Sequence, residues 1–149
     1  MRNYTHQTHV NASLESVTAF HNNPRALKIL TPPGMFVQFK KIEPIKENSI
    51  ADFVMWLGPL PIHWVAIHSD VGRDGFTDTQ LSGPFKFWKH QHTFAVQDQY
   101  ATEIIDTVDF DFGHHPFWGL VSRLMGFGLP ILFGFRGWAT RRILESKKS

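Results

Sequence analysis

Between Phe36 and Phe112 the chain repeats one pattern, a run of alternating apolar and polar residues closed by a short turn signal. The runs are Phe36–Ile45, Ile50–Leu57, Ile62–Val71, Phe76–Leu81, Phe85–Val96 and Thr102–Phe112. Between them stand Lys46-Glu47-Asn48, Gly58-Pro59, Gly72-Arg73-Asp74-Gly75, Gly83-Pro84 and Asp98-Gln99, all with the chemistry of turns. Connections this short cannot hold a crossover, which takes a dozen or more residues, so neighbouring strands must run antiparallel. Tyr4–Asn11 alternates in the same way and adds a strand at the start, for a meander of about seven strands.

Helical signals flank the meander. Asn11 or Ser13 can cap a helix through about His21, with Glu15 in its first turn and Leu14, Val17, Ala19 and Phe20 as apolar positions. Pro24 opens a short segment, Arg25–Leu30, that Pro32-Pro33 ends. A last helix is expected from Pro116 to Glu145, carrying Leu120, Leu124, Ile131, Phe135 and Trp138 and kinked near Pro130. A sheet with one wet face must cover the other, and only this helix is long enough to do so. Without a linker or repeat, residues 1–149 read as one α+β domain: a curved antiparallel sheet around a long C-terminal helix, with two short helices after the first strand. A chain of this size buries about 70% of its unfolded surface, enough for a core with room inside it.

Composition narrows the function classes. Fifteen Lys and Arg against 13 Asp and Glu leave a net charge of +2, and apart from Arg141, Arg142, Lys147 and Lys148 the basic residues are scattered. That is no footprint for nucleic acid. The absence of cysteine removes thiolate catalysis, disulfides and sulfur ligands. The start, Met1 to His6, lacks the apolar core of a signal peptide, so a cytoplasmic protein is expected. The uncharged stretch between Arg123 and Arg136 falls short of the about 20 residues a membrane span needs, although it could touch a membrane surface transiently. Fourteen Phe, 5 Trp and 2 Tyr fit either an aromatic core or the walls of a small-molecule pocket.

Strand periodicity separates inner from outer side chains. Trp88, His90, His92 and Phe94 share one face, opposite Lys89, Gln91 and Thr93. In the last strand Ile104, Asp106, Val108, Phe110 and Phe112 face inward, while Glu103, Thr107, Asp109 and Asp111 face water. Phe76, Asp78 and Gln80 form one face of a third strand, and Trp64, Ala66 and His68 one face of a fourth. A carboxylate such as Asp106 among apolar neighbours needs partners, and His90 or His92 is the obvious one. The inward cluster of Asp78, Gln80, His90, His92 and Asp106 fits three roles: a hydrogen-bonded network that sets register, a polar floor that orients a ligand, or an acid/base pair. His90 and His92 also project together as a metal site requires, with His68, Asp106 or Asp78 as third ligand. Two histidines on an aromatic strand are more often hydrogen-bonded core residues, so no metal and no cofactor is expected. His114-His115 is expected in a solvent-facing loop.

The run Phe76-x-Asp78-x-Gln80-x-x-Gly83-Pro84-Phe85-x-x-Trp88-x-His90-x-His92-x-Phe94 resembles a pattern of the polyketide cyclase and START-like helix-grip superfamily (SRPBCC), especially its small bacterial cyclase/dehydrase-like branch. Trp64, Leu30 to Pro33, Asp106 with Phe110, and Phe133 with Phe135-Arg136 match as well. Gly113-His114-His115 and the Gly/Pro-rich 126–137 region depart from it. The resemblance implies a seven-stranded sheet gripping the last helix around a deep cavity, and a hydrophobic or aromatic small molecule as partner. On that expectation Trp64, Trp88, Phe94, Ile104, Phe110 and Leu124 form the walls, and His68, Asp78, Gln80, His90, His92 and Asp106 meet the ligand's polar end. The alternatives are a cyclase or dehydratase using His90 or His92 with Asp106, and an interaction module with a filled core.

Overall fold

The computed structural model describes residues 1–146; Lys147 and Lys148 of the basic C-terminus lie outside the described residues. In chain order the elements are β1 (Arg2–Val10), α1 (Leu14–Asn22), α2 (Ala26–Ile29), β2 (Met35–Lys41), β3 (Ile50–Leu57), β4 (Leu60–Gly72), β5 (Gly75–Ser82), β6 (Phe87–Asp98), β7 (Ala101–Asp111), α3 (Pro116–Phe127) and α4 (Leu129–Glu145). The strands form one seven-stranded antiparallel sheet in the order β1-β7-β6-β5-β4-β3-β2. Each hairpin of the meander pairs with its sequence neighbour, and β1 closes the far edge on β7. This is the helix-grip arrangement, with the C-terminal helices against the concave face.

Local chemistry explains the element ends. Ser13, not Asn11, caps α1, its Oγ accepting from the Ser16 N–H at 3.2 Å. β2 stops at Lys41, short of the expected Ile45, where a register shift opposite Asp52 and Phe53 ends its pairing. Phe85 does not belong to β6. It sits in the bend before it, where Gln80 Nε2 donates to the Phe85 carbonyl (2.8 Å) and Gln80 Oε1 accepts from the Phe85 N–H (3.3 Å). A Cβ on Gly83 would overlap that carboxamide, so the spacing of Gln80, Gly83 and Phe85 is a constraint of the bend.

The expected single C-terminal helix is two, bent by 51° at Gly128. Pro130 brings no N–H and its ring collides with the carbonyl four residues back, so a straight helix cannot pass. The chain turns there, with the Gly128 N–H bonded to Leu124 and Met125 carbonyls. His115 caps α3, its Nδ1 accepting from the Phe117 and Trp118 N–H groups at 3.1 and 3.2 Å. The helix face also differs from expectation: Leu120, Leu124, Ile131 and Trp138 are exposed. The buried face instead uses Val121, Leu129, Phe133 and Leu144 together with Gly119, Ser122, Gly137, Ala139 and Thr140. Small residues win these positions because the helices approach closely; a Cβ on Gly137 would press on the Thr8 side chain of β1. No single helix among the described residues is long and apolar enough to cross a membrane.

Two apolar clusters fill the concave face. One joins Trp64, Phe85, Trp88, Val108 and Phe110 of the sheet side to Val121, Leu129 and Phe133 of the helices. The other joins Val10, Phe76, Phe94 and Ile104 to Leu14 and Val17 of α1 and Leu144 of α4. Along β6 the order is Trp88, His90, His92, Phe94, so the two histidines lie between the clusters.

Candidate functional site

That interval between the clusters holds the polar network expected from strand periodicity. Register places Asp78 on β5 opposite His90, and Asp106 on β7 opposite His92. The short contacts run diagonally, a reach that long side chains on one sheet face have. His90 Nε2 lies 2.8 Å from Asp106 Oδ1, and His92 Nε2 lies 2.9 Å from Asp78 Oδ2. The second nitrogen of each ring faces the other carboxylate, His90 Nδ1 at 3.7 Å from Asp78 Oδ2 and His92 Nδ1 at 3.5 Å from Asp106 Oδ1. The two rings are 3.8 Å apart between centroids. His68 stands opposite Asp78 on β4, its Nδ1 2.9 Å from Ser49 Oγ.

Burial and neighbouring charge set the ionisation of the cluster. Burial works to raise both carboxyls, but for Asp78 the His92 hydrogen bond and the charges of His90, His92 and His68 prevail, holding it well below the usual carboxylate range. Asp106 is lowered in the same way, burial being outweighed by the hydrogen bond and charge of His90 and by His92 and His21. Burial and then the adjacent His90 push the His92 imidazole down, against Asp78 and Asp106. Burial also lowers His68, and it lowers His21 to about 4 although His21 Nδ1–H donates to the Val17 carbonyl at 2.8 Å.

The network opens onto a cavity of about 430 Å³ between sheet, α1–α2 and α3–α4. Phe53, Met55, Trp64 and Trp88 supply its sheet wall, and Leu129 and Leu132 its helix wall. His68, Asp78, His90, His92 and Arg136 are the polar groups at its inner end. Leu124 and Ile131, 59% and 77% exposed, also line it and mark its opening to solvent beside the α3–α4 bend. A smaller polar void of about 20 Å³ lies behind it, between Thr8, His21, Asp106, Arg136 and Thr140, room for about one water. A wider groove of about 580 Å³ over Phe36 and Trp56 is open and carries none of this cluster.

Of the residues singled out in the sequence, Trp64, His68, Asp78, Trp88, His90, His92 and Leu124 line the cavity. Asp106 lies behind the histidines and, with Ile104, borders the small void. Phe94 packs on His21 (4.9 Å between ring centroids) and Phe110 on Phe85 and Trp88, both within the apolar clusters rather than on the cavity wall. Gln80 is off the wall too, engaged with the Phe85 backbone. Strand periodicity could not reveal His21 and Arg136, which come from helices. Arg136 spans both voids, donates through Nε to the Leu30 carbonyl at 3.3 Å and lies over the Phe133 ring. In the sequence it closes the uncharged stretch that begins after Arg123, and it belongs to the matching Phe135-Arg136 pair.

No family model matches the chain, and no curated protein matches it in sequence. Solved structures do. A Thermus thermophilus protein superposes with a TM-score of 0.75 at 12% identity, over 99% of this chain and 100% of that one. A START superfamily protein from Mycobacterium smegmatis gives 0.70 at 13%, over 98% and 99%. The Zhui aromatase/cyclase from Streptomyces sp. R1128 gives 0.67 at 15%, over 95% of each chain. The likeness runs over nearly the whole length of each chain, and this chain has the helix-grip fold seen in the START superfamily protein and the aromatase/cyclase.

Proposed function

We propose that this protein binds a small hydrophobic or aromatic molecule in the cavity between sheet and C-terminal helices, with the His–Asp cluster meeting its polar end. The observation that carries the proposal is the cavity itself: about 430 Å³, walled mostly by aromatic and aliphatic side chains, with the clustered Asp78, His90 and His92 in its lining. Small-molecule sites have this size and this division of labour, apolar walls for affinity and a few convergent polar groups for orientation. A space that large also speaks against a filled core. The test is titration with an apolar environment-sensitive fluorophore, which should saturate at one site per chain. Ala51→Phe and Leu132→Trp fill the cavity from opposite walls and should each abolish saturation while leaving the far-ultraviolet circular dichroism unchanged. Binding that persists in both variants would place it elsewhere and overturn the proposal.

A second reading, an enzyme of cyclase or dehydratase type, is favoured by one observation. His90 and His92 both line the cavity, and each has a carboxylate within 2.9 Å to orient it. The aromatase/cyclase among the structural neighbours supports the same reading. Turnover lost in Asp106→Asn with fluorophore affinity retained would favour it over carriage alone.

A further inference from the structure

Beyond binding of an organic molecule, we propose that Asp78, His90 and His92 form a site for a divalent first-row transition metal on the cavity wall. The sequence pattern favours hydrogen-bonded histidines without a metal, and both histidines are hydrogen-bonded; the geometry adds a convergence of ligand atoms that a metal could use. Each of the three residues offers one ligand atom, and these atoms lie within 4.8 Å of one another. They converge for structural reasons. His90 and His92, two apart on β6, project from one face, and Asp78 on β5 stands directly across from His90.

The ring nitrogens show what hydrogen bonding leaves unresolved. Both imidazoles meet a carboxylate oxygen at both nitrogens, at 2.8 and 3.7 Å for His90 and at 2.9 and 3.5 Å for His92. A neutral imidazole has a single N–H, so in each ring one of the two nitrogens near a carboxylate oxygen carries no proton. Protonating both rings instead would stack two cations 3.8 Å apart. A metal bound by His90 Nδ1, His92 Nε2 and Asp78 Oδ2 removes the conflict, leaving His90 Nε2–H and His92 Nδ1–H to donate to Asp106. Asp106 Oδ1 is 2.8 Å from the first and 3.5 Å from the second. A buried carboxylate accepting from the distal N–H of ligating histidines is the usual outer support of such sites. Two imidazoles and one carboxylate suit zinc or ferrous iron, and three protein ligands leave positions open. All three line the cavity, so those positions face whatever occupies it.

The full chain, stripped with chelator and dialysed, is titrated with Co²⁺ followed by visible absorption, and with Zn²⁺ by calorimetry. One equivalent should bind, with Zn²⁺ displacing the Co²⁺ bands; an anaerobic Fe²⁺ arm shows whether iron competes. His92→Gln and Asp78→Asn should abolish stoichiometric binding, and Asp106→Asn should weaken it about 10–100-fold at unchanged stoichiometry. A His114→Ala/His115→Ala variant should bind as the parent does. Should the network variants fail to fold, imidazole nitrogen chemical shifts of the parent chain decide the matter, since Zn²⁺ must move those of His90 and His92. No saturable binding below about 1 mM, unmoved His90 and His92 resonances, or binding lost with His114 and His115 would each overturn the site. The titration needs no organic ligand, so its failure would leave the cavity-binding proposal standing.

Discussion

Asp106 is 9% exposed, and its carboxylate serves His90 at 2.8 Å and lies near His92 and His21. Removing one member of a buried charged pair strands the other, at a cost of about 3–5 kcal/mol. Three residues along the same strand, on the opposite face, Asp109 accepts from the exposed Asn3 side chain at 2.7 Å. A surface contact of that kind contributes under about 0.5 kcal/mol. Asp106→Ala should therefore lower the urea midpoint by most of the network's worth, and Asp109→Ala should barely move it. Equal small effects would mean that the carboxylate is not held as the distances indicate. The contrast between two aspartates on one strand was legible in the sequence because a strand's period of two assigns each side chain a face without knowledge of its neighbours. Arg136 and His21 were not legible in this way, since their meeting with Asp106 depends on how α4 and α1 dock.

At the scale of elements, strand faces in the meander could be read, and the helix face could not. Every position from Thr102 to Phe110 alternates between buried and half-buried as expected. On α3 and α4, large apolar residues occur on both faces, and the docked face is chosen by small residues that admit close approach, a criterion the apolar pattern does not contain. Gln80 shows the complementary limit. Its place on the Phe76 and Asp78 face suggested a ligand contact, but the strand ends at Ser82 and the side chain is claimed by the bend that follows. Two predictions separate these roles. Gln80→Ala removes two hydrogen bonds to a half-buried backbone and should cost about 1–3 kcal/mol in denaturant titration. Fluorophore affinity should stay unchanged, because Gln80 is not on the cavity wall. Gly83→Ala, whose new methyl displaces the same carboxamide, should destabilise similarly. A drop in affinity at undiminished stability for Gln80→Ala would return that residue to the binding site.

Across the whole molecule, the two apolar clusters are separated by a belt of ionisable groups, and this makes the fold sensitive to acid in a defined direction. His21 caps the belt from α1, facing His92, Asp106 and Arg136, and burial lowers its imidazole to about 4. In the unfolded chain the same group titrates near about 6.5. Between those values the unfolded state holds more protons than the folded state, so stability is complete above about 6.5 and is lost as pH falls towards 4. A displacement of that size corresponds to roughly 3 kcal/mol from His21 alone. His68 and His92, lowered chiefly by burial, act in the same direction. Asp78 and Asp106 are also lowered, but their contribution stays intact above the unfolded carboxylate range and disappears only below about 4. The expected profile is a melting temperature that declines steadily between about pH 6.5 and 4.5, before the carboxylates begin to protonate. His21→Gln keeps a neutral polar side chain at the position and removes the titration, so its profile should be shallower in that window and parallel to the parent's above it. Melting curves of the two proteins at matched ionic strength make the comparison. A parent that gains stability on acidification, or a variant with the parent's full slope, would show that the imidazole of His21 is not kept neutral by its burial between α1 and the sheet.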